Sequence, residues 1–240
     1  DGEWIQQAKL TAEDADAGDN FGYSVSISGD YAIVGASADD DDGENSGSAY
    51  KFSFDDGEWI QHAKLTAEDA DAEDFFGFSV SISGDNAIVG AIGNDDNGGN
   101  SGSAYIYHSP IEEEEDEEEE DVDDGEWMEQ AKLIAEDANE DDFFGYSSSI
   151  SGEYAIVGAW GDDDAGSSSG SAYIFSLDDD EWMEQAKLIA EDGSENDFFG
   201  WSVSISGDYA IVGAYADDDD GNMSGSAYIF SLDDGDWTQQ

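Results

Sequence analysis

The sequence predicts an all-β protein, a β-propeller-type repeat array of four-stranded antiparallel blades. Two observations carry this prediction: tryptophan recurs at nearly constant spacing, and apolar and polar residues alternate at period two within each interval. The recurring residues are Trp4, Trp59, Trp127, Trp182 and Trp237, at spacings of 55, 68, 55 and 55 residues. No segment shows a convincing helical stripe. We therefore expect four repeats of one β unit.

The first repeat contains four segments of strand character. Apolar residues alternate with serine over residues 24–28, and the Gly-Asp pair at 29–30 supplies a tight turn into residues 31–36. Aromatic residues alternate again over residues 50–54, and the tryptophan segment at residues 4–10 alternates in the same way. A β-solenoid-like open array is the competing architecture. Hairpin turns favour the propeller, because they imply antiparallel strands and solenoid strands run parallel.

The one long tryptophan interval contains an acidic insertion at residues 109–123. It consists almost entirely of glutamate and aspartate, and the other repeats have no counterpart. Because like charges repel one another, we expect this insertion to be a solvated loop.

Composition excludes several classes of function. With 63 acidic and 5 basic residues the formal net charge is −58, which excludes nucleic acid and anionic membrane surfaces as natural partners. No apolar run is long enough for insertion into a bilayer. The chain has no cysteine, so disulfides and thiolate metal sites are also excluded. Such an excess of acid is typical of proteins that stay soluble in concentrated salt, and it predicts a halophilic or marine source.

Lysine supports the strand assignment. Four of the five basic residues share one position in the tryptophan segment, and they are Lys9, Lys64, Lys132 and Lys187. Lysine on an edge strand blocks pairing between edges, so this segment is predicted to be the outer edge of each blade. A salt bridge to neighbouring acidic residues is an alternative role, compatible with the first.

Three short motifs recur in register in all four repeats. They are Phe-Gly (Phe21-Gly22, Phe76-Gly77, Phe144-Gly145, Phe199-Gly200), Gly-Ala (Gly35-Ala36, Gly90-Ala91, Gly158-Ala159, Gly213-Ala214) and Gly-Ser-Ala-Tyr (47–50, 102–105, 170–173, 225–228). In these motifs the chain resembles the FG-GAP repeat family, found in the propeller of integrin α-subunits and in microbial surface and secreted proteins. The resemblance covers essentially the whole chain outside the acidic insertion.

The resemblance implies where each blade begins and ends. In that family the Phe-Gly strand is innermost and the tryptophan strand outermost, which places the blades at residues 19–67, 74–135, 142–190 and 197–240. Residues 1–18 then hold the outer strand of a preceding blade. Since family propellers usually have seven blades, the resemblance also implies a fragment of a longer repeat array.

The calcium loop of integrin-type repeats, Asp-x-Asp-x-Asp-Gly, is missing between the first two strands of each unit, so that site cannot be transferred. Arginine is also absent, which excludes an Arg-Gly-Asp adhesion tripeptide. Any calcium site must therefore come from other loops of the repeat.

The first candidate calcium site is the acidic loop that precedes Phe-Gly. Oxygen-bearing side chains at i, i+2 and i+5 can converge on a hard cation, which binds six to eight oxygens. The candidate ligands are Asp14, Asp16 and Asp19, then Asp69, Asp71 and Asp74, then Asp137, Asn139 and Asp142, and finally Asp192 and Asp197, with Ser194 between them. The alternative is that these residues cap turns by bonding to their own backbone.

The second candidate site is the loop between the second and third strands of each repeat. Adjacent carboxylates repel one another unless a cation or concentrated salt screens them. The candidates are Asp40 and Asp41, Asp95 and Asp96, Asp163 and Asp164, and Asp218 and Asp219. A plain halophilic surface loop is the alternative interpretation.

A catalytic site would need residues that occur in one repeat only, and few residues differ between the repeats in this way. His62 stands where other repeats have glutamine, and His108 where they have serine, but neither has a single-copy nucleophile nearby in sequence. Trp160 and Tyr215, expected to be exposed at the start of the second loop, are candidate stacking or partner contacts. The chain is therefore expected not to be an enzyme.

Together these observations predict a non-enzymatic, extracellular or cell-surface propeller module for adhesion or protein recognition, stabilised by calcium or high salt. A structural subunit of a surface filament, which self-associates through its repeats, is the first alternative. An accessory propeller of a larger secreted enzyme is the second. The expected partners are a protein or a second copy of the chain, together with divalent cations.

Overall fold

The computed structural model describes residues 4–109, 127–219 and 221–240. It contains sixteen β-strands in four antiparallel sheets, and no helix in these residues. The all-β prediction is confirmed, and the antiparallel pairing supports blades rather than a solenoid. The acidic insertion predicted at 109–123 falls outside the described residues, apart from Ser109. No helix in the described part of the chain is long and apolar enough to cross a membrane.

Each sheet is a blade of four sequential strands, so the chain runs through it as a simple meander. Blade one contains β1 (Ser24–Ser28), β2 (Tyr31–Ala36), β3 (Ser48–Asp55) and β4 (Glu58–Leu65). Blade two contains β5 (Phe76–Ser83), β6 (Asn86–Ala91), β7 (Ser103–His108) and β8 (Met128–Leu133). Blade three contains β9 (Ser147–Ser151), β10 (Tyr154–Ala159), β11 (Ser171–Asp178) and β12 (Glu181–Leu188). Blade four contains β13 (Phe199–Ser206), β14 (Tyr209–Ala214), β15 (Ser226–Asp233) and β16 (Asp236–Gln239).

Local sequence explains the hairpins of each blade. Ser28 pairs with Tyr31 across a two-residue turn, in which Gly29 has a φ of 57°. The turn between β3 and β4 has positive φ at both of its residues, Asp56 and Gly57. Two positive φ angles define the type I′ turn, whose twist matches that of the flanking strands. The tryptophan strand is an edge strand in every sheet, as its lysine predicts.

Residues 4–12 form no strand, although the sequence predicts an outer strand there. In each blade the outer strand pairs with the third strand of the same blade. The described residues contain no third strand that precedes residues 4–12. Trp4 is consequently fully exposed.

The core lies between the blades as much as within them. Ile33 and Ala49 of blade one pack with Phe76, Val80 and Ile82 of blade two in one buried cluster. Equivalent clusters join blade two to blade three and blade three to blade four. The blades follow one another as an open arc in the described residues, because blade four does not pack against blade one.

Candidate functional site: acidic loops and inner aromatic row

The last aspartate of each first acidic loop caps that loop. Its carboxylate accepts a hydrogen bond from the backbone N–H of the residue three positions earlier, so the side chain bonds to the backbone of its own loop. The four bonds join Asp16 N to Asp19 Oδ2 (2.6 Å), Asp71 N to Asp74 Oδ2 (3.0 Å), Asn139 N to Asp142 Oδ2 (2.7 Å) and Ser194 N to Asp197 Oδ2 (2.6 Å). The turn-capping alternative therefore describes these residues and explains why the loop bends at the same place in every repeat.

Three of these capping carboxylates are hard to ionise. Burial raises the pKa of Asp142 to about 6, and nearby Asp162 and Asp163 add to the effect by repulsion. Burial likewise raises the pKa of Asp74 and of Asp197. The charged forms are therefore present at neutral pH at some expense of folding free energy.

In blade three a lysine stands between the two acidic loops. Lys187 Nζ lies 2.7 Å from Asp137 Oδ2, 2.8 Å from Asp162 Oδ2 and 2.7 Å from Asp164 Oδ2. Burial opposes the charge on Lys187, but the hydrogen bonds to Asp137 and Asp162 outweigh it and raise its pKa. The Tyr173 hydroxyl lies 2.7 Å from Asp162 Oδ2 and 2.9 Å from Asp137 Oδ1, so the two carboxylates share its one proton as acceptors. We call each such group of one lysine and its aspartates a lysine cluster.

Blade one has the same lysine cluster. Lys64 Nζ lies 2.8 Å from Asp14 Oδ2 and 3.2 Å from Asp39 Oδ2, and it also contacts Asp41 Oδ2. The Tyr50 hydroxyl lies 2.9 Å from Asp39 Oδ2. Burial opposes ionisation of Asp14, but its bond to Lys64 dominates and lowers its pKa.

Blade two contains a reduced version of the lysine cluster. Lys132 Nζ contacts Asp69 Oδ2 at 2.6 Å and Asp96 Oδ2. The buried position that is aspartate in the other blades is Asn94, which accepts a hydrogen bond from the Ser103 hydroxyl at 2.9 Å. The Tyr105 hydroxyl therefore donates to Asp69 Oδ1 alone among the carboxylates, at 2.9 Å.

Blade four has the aspartates of a lysine cluster but no lysine among the described residues. Asp217 accepts a hydrogen bond from the Tyr228 hydroxyl at 2.8 Å. Repulsion from Asp217 and Asp192 raises the pKa of Asp219. Asp192, Asp217 and Asp219 are therefore a local concentration of negative charge.

The structure brings the two predicted calcium loops of a repeat together, but only some of their candidate ligands meet. In blades one and three, oxygens of three carboxylates lie within 4.8 Å of one another, from Asp14, Asp39 and Asp41 and from Asp137, Asp162 and Asp164. Asp40, Asp95, Asp163 and Asp218 make no lysine contact; Asp40 instead accepts from Asn45 N at 3.3 Å. The middle residues Asp16, Asp71 and Asn139 contribute their backbone N–H groups.

Sequence reasoning missed the buried aspartates and the tyrosine hydroxyls of these clusters. Asp39, Asp162 and Asp217 are 3–4% exposed, and each bonds the tyrosine of Gly-Ser-Ala-Tyr. The signal was present in the recurrence of that tyrosine at a fixed distance after the second loop. Chemically, the carboxylates of blades one, two and three surround one cation each, the ammonium group of Lys64, Lys132 or Lys187.

A row of aromatic rings crosses all four blades at their innermost strands. The rings are those of the residue that follows Phe-Gly in each repeat, namely Tyr23, Phe78, Tyr146 and Trp201. Successive ring centroids are 4.8, 5.1 and 4.6 Å apart, so each ring contacts the next. Tyr23 is 56% exposed and the other three are partly buried. We call these four residues the inner aromatic row.

Trp160 and Tyr215 extend the inner aromatic row at its blade-four end. Trp160 stacks on Phe143 with centroids 4.8 Å apart and also contacts Trp201 at 5.7 Å. It is partly buried rather than exposed as predicted, because these rings cover it. Tyr215 is 46% exposed and contacts Trp201 at 4.8 Å. Phe143 and Trp160 line a cleft of about 420 Å³ together with Glu140, Asp141 and Asp163.

The two histidines lie on strands β4 and β7. His108 Nδ1 is 2.9 Å from Asn86 Oδ1, its partner across the sheet. His62 stands at the position of Gln130 and Gln185, whose side-chain oxygens accept hydrogen bonds from the Trp182 and Trp237 indoles at 3.0 and 3.1 Å. The indole N–H of Trp127, which would use position 62, is buried without a partner.

Comparisons with known proteins agree with this architecture. A family model described as "FG-GAP repeat" matches residues 4–52, 59–107, 127–175 and 182–230, most of the chain. No curated protein sequence matches significantly. Among solved structures, the chain is similar to the computationally designed Ika4 protein, with 10% identity, a TM-score of 0.51, and 96% of this chain and 100% of that chain covered. It also matches Sqt1 of Saccharomyces cerevisiae at 8% identity and a TM-score of 0.49, covering 94% of this chain and 48% of that one. The Ika4 likeness concerns the fold alone.

Proposed function

Because the chain belongs to the FG-GAP repeat family, we propose that it is a non-enzymatic, extracellular β-propeller module that recognises a protein partner, as in adhesion. The observation that supports this proposal is the inner aromatic row. It contains one ring from each of four successive blades, and Trp160, which extends it, lines a cleft with Glu140, Asp141 and Asp163. Repetition of one contact along a surface suits binding rather than catalysis, which needs a single asymmetric group of residues.

The chemistry of the row and its surroundings points to a basic protein surface as the partner. Lysine and arginine side chains bind to the faces of tyrosine and tryptophan rings, with tryptophan the strongest. The net charge of −58 would attract such a partner over distance and accelerate its encounter. The rings then supply the contacts that distinguish one basic partner from another.

Binding of a fluorescein-labelled arginine- and lysine-rich peptide tests the recognition proposal. We expect the Tyr146→Ala/Trp201→Ala variant to bind about tenfold more weakly, since each cation–π contact contributes about 0.5–2 kcal/mol. Phe54→Ala is the matched control, because Phe54 is 43% exposed, carries no charge and lies outside the row. Equal affinity of both variants and the unsubstituted chain would show that charge alone attracts the peptide, and would contradict the proposal.

We also propose that cations stabilise the module, either calcium or concentrated salt. Asp192, Asp217 and Asp219 support this part, since they occupy the repeat positions of carboxylates that surround a lysine in other blades, and repulsion from Asp217 and Asp192 raises the pKa of Asp219. Oxygen ligands of this type fit Ca²⁺. In the other three blades a divalent ion would have to displace a lysine.

Thermal unfolding with CaCl₂, against NaCl of equal ionic strength, tests the cation proposal. We expect calcium to raise the melting temperature more than NaCl, and Asp217→Asn to remove the difference. Asp30→Asn, in the β1–β2 turn and away from the lysine clusters, is the control. Unchanged melting in a chelator at low salt would contradict the cation proposal and leave the recognition proposal standing.

A structural subunit of a surface filament is the second candidate function. The equivalent buried clusters between successive blades favour it, because one contact repeated from unit to unit can build an extended array.

A further inference from the structure

The cleft beside Trp160 lies between two loops of blade three. The loop that precedes the first strand contributes Glu140, Asp141 and Phe143, and the loop between the second and third strands contributes Trp160 and Asp163. Its volume of about 420 Å³ falls within the usual range of small-molecule sites, about 300–1,000 Å³. We call the space lined by these five residues the blade-three cleft.

The residues of the blade-three cleft differ from those at the same positions of the other repeats. Only the third repeat combines a tryptophan with three carboxylates there. At the position of Trp160 the other repeats have Ser37, Ile92 and Tyr215. At the position of Asp141 they have Gly18, Glu73 and Asn196. The cleft is therefore a feature of one blade, whereas the lysine clusters and the inner aromatic row recur from blade to blade.

The polar group of Trp160 contributes nothing to the stability of the fold. Its indole N–H is buried and has no hydrogen-bond partner in the described part of the chain. A buried donor without a partner costs folding free energy, because it gives up its hydrogen bonds with water. The position therefore uses the aromatic ring of tryptophan rather than its N–H group.

Neighbouring groups hold the blade-three cleft in shape. Phe143 stacks on Trp160 with the two ring planes 4° apart, and Phe198 meets Trp160 edge-on with centroids 5.2 Å apart. Gly161 lets the two loops approach, since a β-carbon there would lie 2.1 Å from the Asp141 carbonyl oxygen. A ligand would therefore not have to order the site, and preformed sites lose less affinity to ordering.

The charge of the blade-three cleft favours a cation. Glu140, Asp141 and Asp163 are exposed, and no basic side chain lines the cleft with them. Asp141 Oδ1 accepts a hydrogen bond from Asn100 Nδ2 at 3.0 Å, which positions this carboxylate without neutralising it. Three carboxylates attract positive charge, and aromatic rings attract cations that give up their water easily.

We propose that the blade-three cleft binds a quaternary ammonium group. Such a group spreads its charge over methyl groups and donates no hydrogen bonds, so it can lie against Phe143 and Trp160 while the carboxylates attract it. A primary ammonium would lose hydrogen bonds to water that the rings cannot replace. The group occurs on choline-type small molecules and on trimethylated lysine side chains. The proposal adds a ligand beside the inner aromatic row, and it holds whether or not that row binds a protein.

Isothermal titration calorimetry with three small ligands at constant ionic strength tests the proposal. The ligands are choline, its uncharged analogue with a tert-butyl group in place of the trimethylammonium group, and ethanolamine, which carries a primary ammonium. We expect choline to bind about tenfold more tightly than either of the others, since only choline combines positive charge with a weakly hydrated methyl surface. Equal binding of choline and its uncharged analogue would show that apolar contact alone fills the cleft, and would overturn the proposal.

Variants of the cleft identify the groups that bind choline. Trp160→Ser should weaken choline binding about tenfold or more, and Trp160→Phe, which keeps a ring, should weaken it less. Ile92→Ser is the matched control, because it makes the same change at the same repeat position of blade two, outside the cleft. Asp163→Asn should weaken binding at low salt and lose this effect in about 2 M NaCl, where charges are screened. Circular dichroism checks that each variant folds.

A peptide with one trimethyllysine, compared with the same peptide unmodified, distinguishes the two sources of the group. Preference for the modified peptide, lost in Trp160→Ser, would identify a lysine side chain as the carrier, and choline binding without this preference would identify a small molecule. No binding of choline or of the modified peptide, or unchanged binding in folded Trp160→Ser and Trp160→Phe, would overturn the proposal. The recognition proposal is tested separately, by an unmodified basic peptide and the variant at Tyr146 and Trp201.

Discussion

At the scale of single residues, His62 shows what a departure from the repeat does. Trp182 and Trp237 each donate an indole N–H to a glutamine of the preceding repeat, and Trp127 has no acceptor because His62 replaces that glutamine. A buried donor without a partner loses the hydrogen bonds it would make with water. The histidine is thus explained as a local loss of stability rather than as a catalytic group.

We expect His62→Gln to stabilise the chain by about 1 kcal/mol, the typical net value of one hydrogen bond. Urea unfolding measures the change. Gln130→His is the reciprocal substitution, and it should destabilise the chain by a similar amount because it removes the acceptor of Trp182. A stabilisation with both substitutions would show that the indole bond is not the cause.

Ionisation of Asp142 makes the stability of the folded chain depend on pH. Its pKa is raised from 3.8 to about 6 by burial, so the folded state binds its proton more tightly than the unfolded state does. The stability from this group is fully present below pH 3.8 and is lost as pH rises through about 6. Asp137 acts in the opposite direction, because Lys187 overcomes burial and lowers its pKa.

Replacement of Asp142 by asparagine removes the charge and keeps an oxygen that can accept from Asn139 N. We expect Asp142→Asn to raise the free energy of unfolding at pH 7 by about 1–2 kcal/mol and to be neutral below about pH 4. Urea unfolding in a chelator from pH 4 to 8 measures it. An effect that is equal at both ends of the range would mean that ionisation of Asp142 does not matter.

The lysine clusters show which residues could be predicted from the sequence and which of their contacts could not. Asp14 and Asp41 were predicted as cation ligands from local spacing, and the structure places both around one cation, the ammonium of Lys64. Their partner Asp39 and the Tyr50 hydroxyl could not be assigned, because they come from a loop and a strand that meet only through sheet pairing. The sequence showed each residue but not which loops converge.

At the scale of elements, the Gly-Ala motif of the second strand controls how closely blades approach. A β-carbon on Gly158 would lie 2.0 Å from the Gly200 carbonyl oxygen of blade four, closer than real contacts allow. The same position in blade four, Gly213, would meet only the Ser202 hydroxyl, at 2.5 Å. A side-chain hydroxyl can rotate away, whereas a backbone carbonyl in a sheet cannot.

Gly158→Ala should therefore destabilise the chain by about 2 kcal/mol or more, as expected for overpacking in a rigid core. Gly213→Ala should have less than half that effect. Chemical unfolding of both variants, side by side, measures the difference. Equal losses would indicate that backbone freedom, rather than the neighbouring blade, requires glycine at this position.

Strand prediction succeeded where the chain provides a partner strand. Residues 24–28, 31–36 and 50–54 all lie in strands, because each pairs with a neighbouring strand of its blade. The segment at residues 4–10 has the same alternating pattern but does not form a strand. A pattern gives the tendency to form a strand, but pairing also needs a partner strand.

At the scale of the whole molecule, charge opposes folding. The chain carries a net charge of −58, and Lys64, Lys132 and Lys187 form ion pairs only with the aspartates nearest to them. Repulsion among the remaining carboxylates is stronger in the compact state than in the expanded one. Salt weakens that repulsion, since the Debye length falls to about 3 Å at 1 M.

The melting temperature should therefore rise steeply with NaCl between about 0.05 and 2 M, the range over which screening becomes nearly complete. Differential scanning calorimetry measures it, and KCl should act like NaCl because screening depends on ionic strength. A flat profile would contradict the prediction of a protein adapted to high salt.

The single type of junction between blades has a consequence for how the array comes apart. Blades two and three pack against a neighbouring blade on both sides, whereas blades one and four do so on one side only in the described residues. Stability in such a chain is approximately a sum of nearest-neighbour energies, as in a zipper, so the terminal units fray first. Amide hydrogen exchange would then be fastest in blades one and four and slowest in the central pair. Each additional unit placed on an end would move that gradient outward and convert a fraying terminus into a protected interior.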